Sequence, residues 1–176
     1  MPSMRAELSP TEREALLRDM WVAHDGRWFL AVAAEFGFDA ANKLNQAAVR
    51  SIAKKEAKEF KIRSGAEIAN ASDFKEFLDS AGALYWPDEH KREIEIVEDN
   101  LVVGHVLHCY VWDNISKAGG LSVNRCAAPT RFRGWLEGLG LSGEVVGTGE
   151  CDTCNGSCDI SFRFDRPLDA VRGQDK

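Results

Sequence analysis

The sequence has no long apolar run. Its longest candidate, LVVGHVL at 101–107, suits a buried strand and falls far short of a membrane span. The opening stretch, MPSMRAELSPTERE, has no apolar segment of the kind a signal peptide needs. Basic residues are in deficit: 22 Lys and Arg against 28 Asp and Glu leave a net charge of −6. That balance argues against a general surface for nucleic acid or anionic membrane. Arg125, Arg131 and Arg133 still suffice for a small basic patch. There is no phosphate-binding glycine loop, no internal repeat and no low-complexity segment. These absences lead to the expectation of a cytoplasmic protein whose partner is a small-molecule ligand or substrate, with no nucleic acid and no membrane. An exposed apolar helix face would add a homodimer.

What is present is ordinary globular composition and a clear order of elements. Ser9-Pro10-Thr11-Glu12 is a helix start: Ser9 caps, Pro10 supplies the fixed φ, and Glu12 completes a capping box. Leu16, Leu17, Met20, Trp21, His24, Trp28, Val32 and Phe36 then recur at helical spacing, and Gly37 suits the helix end. Asp39 is placed to cap a second helix running to about Ile62, with Leu44, Ala48, Ile52 and Ala53 on its inner side. Ser72 is placed to cap a third, ending near Gly82.

The pattern changes after Trp86-Pro87. REIEIVEDNLVVGHVLHC reads as two strands around a tight turn at Asp99-Asn100. Tyr110 to Lys117 and Ala127 to Leu139 read as helices, and Glu144 to Thr148 as a third strand. In Cys158 to Phe164, Cys158, Ile160, Phe162 and Phe164 face one way; Asp159, Ser161 and Arg163 face the other. The expected fold is α+β: N-terminal helices (1–86), then a small antiparallel sheet packed with helices (87–166), then a flexible tail (167–176). The two main parts are expected to form one compact unit.

Five cysteines in a reducing compartment read better as ligands or reactive thiols than as a disulfide framework, and an odd count cannot pair fully within the chain. Three of them crowd into 151–158. Cys151-x2-Cys154 is a metal-ligand spacing, because a tight turn aims both sulfurs at one ion. Cys158 adds a third thiol, with Gly156 letting the backbone fold around a centre. A zinc site or a four-cysteine iron–sulfur cluster needs a fourth group. Cys126, Cys109, His105 and His108 are the candidates. His105 and Cys109 share a strand face if the strand extends that far. Cys126 stands at a helix start, where terminal N–H groups favour thiolate. Against this, Cys109 and Cys126 are also suited to plain core packing.

Three other groups carry both a structural and a functional reading. His24, Trp28 and Glu35 lie on one helical stripe, which suits a core stripe with wet edges or a pocket wall. Trp86, Trp112 and Trp135 are expected in the core between sheet and helices, where each indole N–H needs a partner. His105, inside an apolar strand, is either a satisfied core residue or a ligand.

Three segments in this order resemble a known family: HDGRWFLAVAAEFGFDAAN (24–42), NRCAAPTRFRGWLEGLGL (124–141) and CDTCNGSCDISFRF (151–164). Together they are similar to the L-2-amino-thiazoline-4-carboxylic acid hydrolase family and its uncharacterised cysteine-rich relatives. The resemblance spans about Trp21 to Phe164. It implies that Arg125 and Cys126 match an Arg-Cys-Pro-like segment, and that Cys158 and Asp159 match the Cys-Asp of a terminal strand. It also implies metal-dependent hydrolytic opening of a small heterocyclic C–N bond. Ala127 and Ala128 displace the proline to Pro129, and the CDTC insert departs from the family pattern. At the level of fold alone, the order of helices and a cysteine-bearing sheet resembles vinyl-reductase-like ligand-binding domains.

Three functions follow as expectations. The first is a metal-binding protein in which Cys151, Cys154, Cys158 and Cys126, or Cys109, hold zinc or an iron–sulfur cluster, with hydrolase-like activity if one position stays open. The second is a metal-free hydrolase with Cys126 or Cys158 as nucleophile, His105 or His108 as base, and Arg125 holding a carboxylate. The third is a non-catalytic sensor or carrier with a pocket between the helical half and the sheet.

Overall fold

The computed structural model describes residues 8–147 and 154–168. Helix α1 (Pro10–Phe36) starts as the sequence indicates. The Ser9 hydroxyl accepts from the Glu12 N–H, and the Glu12 carboxylate accepts from the Ser9 N–H at 2.8 Å. Gly37, at φ 82°, is the single residue between α1 and α2 (Phe38–Ser64), a backbone conformation that side-chain-bearing residues avoid. Asp39 therefore lies in the first turn of α2 rather than capping it.

Helix α3 (Ala71–Tyr85) is capped by Asn70, whose side chain accepts from the Asp73 N–H at 2.9 Å; Ser72, the expected cap, is already helical. It also continues past Gly82. A Cβ there would run into the Arg92 guanidinium, so the glycine makes room for that side chain instead of ending the helix.

Strands β1 (Lys91–Glu98) and β2 (Leu101–His108) form the expected hairpin about Asp99-Asn100. Helices α4 (Tyr110–Lys117) and α5 (Ala128–Leu139) follow, then β3 (Gly143–Gly147) and β4 (Cys158–Phe164). The sheet order is β1-β2-β4-β3, antiparallel throughout. Ile94, Gly104 and Ile160 fall in one cross-strand row, and Arg92, Val106 and Cys158 in the next. Strand β2 stops at His108. Cys109 leaves it to cap α4, so it does not share a strand face with His105.

The core contains Ala53, Phe74, Val102, Trp135, Phe162 and Phe164 in one cluster. It takes residues from both the helical part and the sheet part, and the fold is of α+β class. Leu168 belongs to the same core at 3% exposure, so packing extends past Pro167; residues 169–176 lie outside the described range.

Helices α2 and α5 meet along a seam of small residues. Gly134 and Gly138 of α5 lie against Ala53 and Ala57 of α2, and a Cβ on Gly138 would strike the Lys54 carbonyl. The buried face of α2 is Ala41, Asn42, Val49, Ala53 and Ala57. Leu44 and Ala48 point outward, contrary to the sequence expectation, because close approach of the backbones selects the small-residue face. Beside the seam, Glu56 accepts from the Arg131 guanidinium on both oxygens (2.7 and 2.6 Å) and from the Trp135 indole N–H at 3.0 Å.

On α1, only Ala33 is buried. Leu17, Trp21 and Phe36 are 71%, 61% and 70% exposed, so its apolar spacing marks a helix but not a core face of this chain. His24 and Glu35 are exposed and Trp28 half-exposed, so that stripe is neither core nor pocket wall. Among the described residues, no helix is long and apolar enough to cross a membrane.

Candidate functional site

A cavity of about 200 Å³ lies between the inner face of the sheet and helices α2, α3, α4 and α5. The register creates it. Gly104 brings no side chain to the inner face between Ile94 and Ile160, and the nearest heavy atom to a Cβ built there is 3.4 Å away. Trp86, Trp112, Phe132 and Phe162 supply aromatic walls. Phe132 and Phe162 are fixed edge to face at 5.2 Å, and Trp86 lies 5.8 Å from Phe132. Such ring contacts make a wall of defined shape.

Besides Asp25 of α1 and Asn45 of α2, polar groups gather at two places on that wall. One is the segment before α5. Buried Asn42 of α2 accepts from the Arg125 N–H at 2.8 Å and donates to the Val123 carbonyl at 2.7 Å. Gln46 donates to the Cys126 carbonyl at 3.0 Å. The α2 side chains thus hold Arg125 and Cys126 at the cavity, where both contribute to its lining. The Arg125 guanidinium reaches the exposed Asp39 carboxylate at 3.3 Å.

The other place is the entry to β1. His90 is 8% exposed and stacks on Trp86. Its Nδ1 has no hydrogen-bond partner among the described residues. Burial, then the neighbouring Arg92 charge, push its pKa down to about 4. Arg92 donates to the Asp79 carbonyl at 3.0 Å and lies 5.7 Å over the Trp86 ring. Its buried Nε is also without a partner among the described residues. Burial holds its pKa below the usual guanidinium value. Trp86, His90 and Arg92 also line an adjoining cleft of about 240 Å³, so they form the partition between the two spaces. Arg131 reaches the cavity as well, but Glu56 already neutralises it.

The residues singled out from the sequence divide among three locations. Arg125 and Cys126 are at the cavity. His105 is on the opposite face of the sheet, its Nδ1 2.7 Å from Asp159 and its Nε2 3.2 Å from Glu95. The nearer Asp159 contact, then Glu95, raises its pKa. His108 pairs with Asp113 at 2.9 Å. The expected catalytic group of Cys126, Arg125 and His105 is therefore split by the sheet itself.

The third location is the loop before β4. The Cys109 N–H donates to the Gly156 carbonyl at 2.8 Å, and the Trp112 indole N–H donates to the Cys154 carbonyl at 2.9 Å. The Cys109 sulfur accepts from the Trp112 N–H, and the Cys154 sulfur from the Gly156 N–H, each at 3.4 Å. Cys158 packs against the core from the inner face of β4. Cys151 lies outside the described residues. Among the described residues, no three His, Cys, Asp or Glu side chains form a group able to hold a metal ion.

His90 and Arg92 are the site residues that sequence reasoning missed. A single histidine between Pro87 and a strand reads as a loop residue. Its burial comes from Trp86, which no local pattern reveals. The alternation Arg92, Ile94, Ile96 did put an arginine on an apolar strand face, and that was the available signal.

Fold and site define an α+β protein with an aromatic cavity, open on one side, between its helical half and its sheet. A family model described as "Family of unknown function (DUF6125)" matches residues 8–128, and the chain belongs to that family. The matched span includes Trp86, His90, Arg92, Arg125 and Cys126, and ends before Cys154 and Cys158. No curated protein matches the chain.

Proposed function

We propose that this chain is a small-molecule binding protein, a sensor or carrier acting in the cytoplasm, whose ligand occupies the cavity behind Gly104. The observation that carries this reading is His90. A histidine more than nine-tenths buried leaves Nδ1 without a partner among the described residues, at the wall of an aromatic cavity. An unmet buried polar atom costs about 1–3 kcal/mol, and a cavity this apolar with a few polar groups has the character of a ligand site. The test is a thermal-shift screen of small organic compounds against the protein and its Gly104→Val variant. A ligand should raise the Tm of the first and not the second, because valine fills the cavity while its Cβ meets only ordinary contacts. Equal shifts in both proteins would remove the cavity as the site.

A second reading keeps the cysteine loop as a zinc or iron–sulfur site. It rests on the sulfurs of Cys109 and Cys154, each accepting a backbone N–H, in segments joined through Trp112. Thiolate is the form that binds metal. Cys151 and Cys158 would complete the set. Metal analysis of protein purified without chelator, beside Cys154→Ser, decides it; metal retained undiminished by the variant counts against this assignment. Hydrolysis at Cys126 would share the cavity but needs a base other than His105.

A further inference from the structure

We infer that the cavity takes an apolar organic acid, with its carboxylate at Arg92 and His90 and its hydrocarbon or aryl body against Trp86, Trp112, Phe132 and Phe162. This rests on the cavity being the ligand site.

Three arginines and one carboxylate, Asp25, line the cavity, and the arginines differ in how far they are already matched. Arg131 is matched by Glu56 on both carboxylate oxygens, so it has no call for a ligand anion. Arg125 already meets Asp39 at the protein surface. Arg92 differs from both. Among the described residues it hydrogen-bonds a neutral carbonyl, that of Asp79; the Asp79 carboxylate acts on it through space but is itself bonded to Lys75 at 3.0 Å. Its Nε, buried at the same wall as His90 Nδ1, has no partner among the described residues. Guanidinium presents its N–H groups in a fixed fork that suits a carboxylate. One carboxylate there would bond Arg92 and leave its second oxygen for an Nδ1–H of His90. Two unmet atoms would be satisfied by one group.

The body of the ligand follows from the rest of the wall. Beyond this corner the wall is mostly apolar, with the four aromatic rings, Ile94, Val106 and Ile160, and its polar groups are confined to Asp25, Asn45, Arg131 and the segment before α5. Against the aromatic and aliphatic part of that wall a polar body would lose its water without replacement. Arg92 and His90 border the open cleft as well, so the acid group would sit at the partition and the apolar part inside.

The experiment uses 2-naphthoate, decanoate and indole-3-acetate, each beside its neutral amide. Binding to the full chain is followed at pH 7 by tryptophan fluorescence and calorimetry. At least one acid should bind about tenfold or more tightly than its amide, the size of a charged hydrogen bond. In Arg92→Gln that preference should collapse, with circular dichroism confirming the fold. In Gly104→Val acid and amide should both bind far more weakly. Amides that bind as well as the acids, or a preference that survives Arg92→Gln, would overturn the acid while leaving the cavity reading intact. Failure of acids and amides alike would overturn both.

Discussion

The imidazole of His90 lies stacked on the indole of Trp86, with centroids 5.4 Å apart and ring planes 19° apart. The stack joins the end of α3 to the start of β1 and holds an ionisable ring in a largely buried position. Because neutral imidazole is the form this environment accepts, the pair couples the fold to pH.

The sign of that coupling is fixed. The His90 pKa falls from 6.5 to about 4 on folding. Its contribution to stability is present above pH 6.5 and lost as the pH falls from 6.5 towards 4, since only the unfolded chain takes up the proton. The loss should be about 2 kcal/mol once solvent screening is allowed for. Urea melts between pH 4 and 7 should show this slope in the wild type and a shallower one in His90→Gln. Parallel profiles would contradict it.

His105 should move the other way. Asp159 and then Glu95 raise its pKa, so its contribution is complete below 6.5 and fades as the pH rises through the folded value. An NMR titration should find it above 6.5, and lower in Asp159→Asn. Seeing His90 and His105 titrate on opposite sides of 6.5 in one sample would check both assignments.

Glu56 holds Arg131 and Trp135 at the seam between α2 and α5. Replacing Glu56 with Gln leaves a mostly buried guanidinium without its counter-charge and should cost about 3 kcal/mol. Adding Arg131→Met should recover part of the loss. A double-mutant cycle in urea measures the coupling, and additive effects would mean that the pair contributes nothing jointly.

The cysteines should differ in reactivity. Cys158, which packs against the core, is expected to be alkylated more slowly than Cys109 and Cys154, which lie outside that cluster. Timed alkylation followed by mass spectrometry ranks them. A uniform rate would contradict the packing of Cys158.

Much of the fold was legible because it rests on local chemistry. The Ser9–Glu12 capping box, the Asp99-Asn100 hairpin and the alternation of β4 are each set by residues close in sequence. What misled were features whose cause is distant. The inner face of α2 was mistaken because it is chosen by glycines on α5. Gly82 resembled a helix end because the arginine that needs its space comes from the next strand. The site followed the same division. Arg125 and Cys126 stood out by type and do reach the cavity, while His90 took its meaning only from its neighbours in three dimensions. His105 stood out in an apolar strand, yet the strand's own period places it on the far face with Glu95 and Asp159.

The glycine seam has a kinetic consequence. Arg50 and Glu137, which pair across it, are 87 positions apart, and the span between them carries α3, β1, β2 and α4. Docking α5 on α2 closes that span into a loop, and the entropy of closure comes before the contacts that reward it. His90, Arg92 and Trp112 all belong to the enclosed stretch. A binding-competent corner should therefore form late in folding, after the seam has shut. Gly138→Ala, whose Cβ would meet the Lys54 carbonyl, should slow refolding as well as destabilise by about 2 kcal/mol. The seam acts as a clasp: fastening it gathers distant residues into one chamber, and loosening it scatters them together.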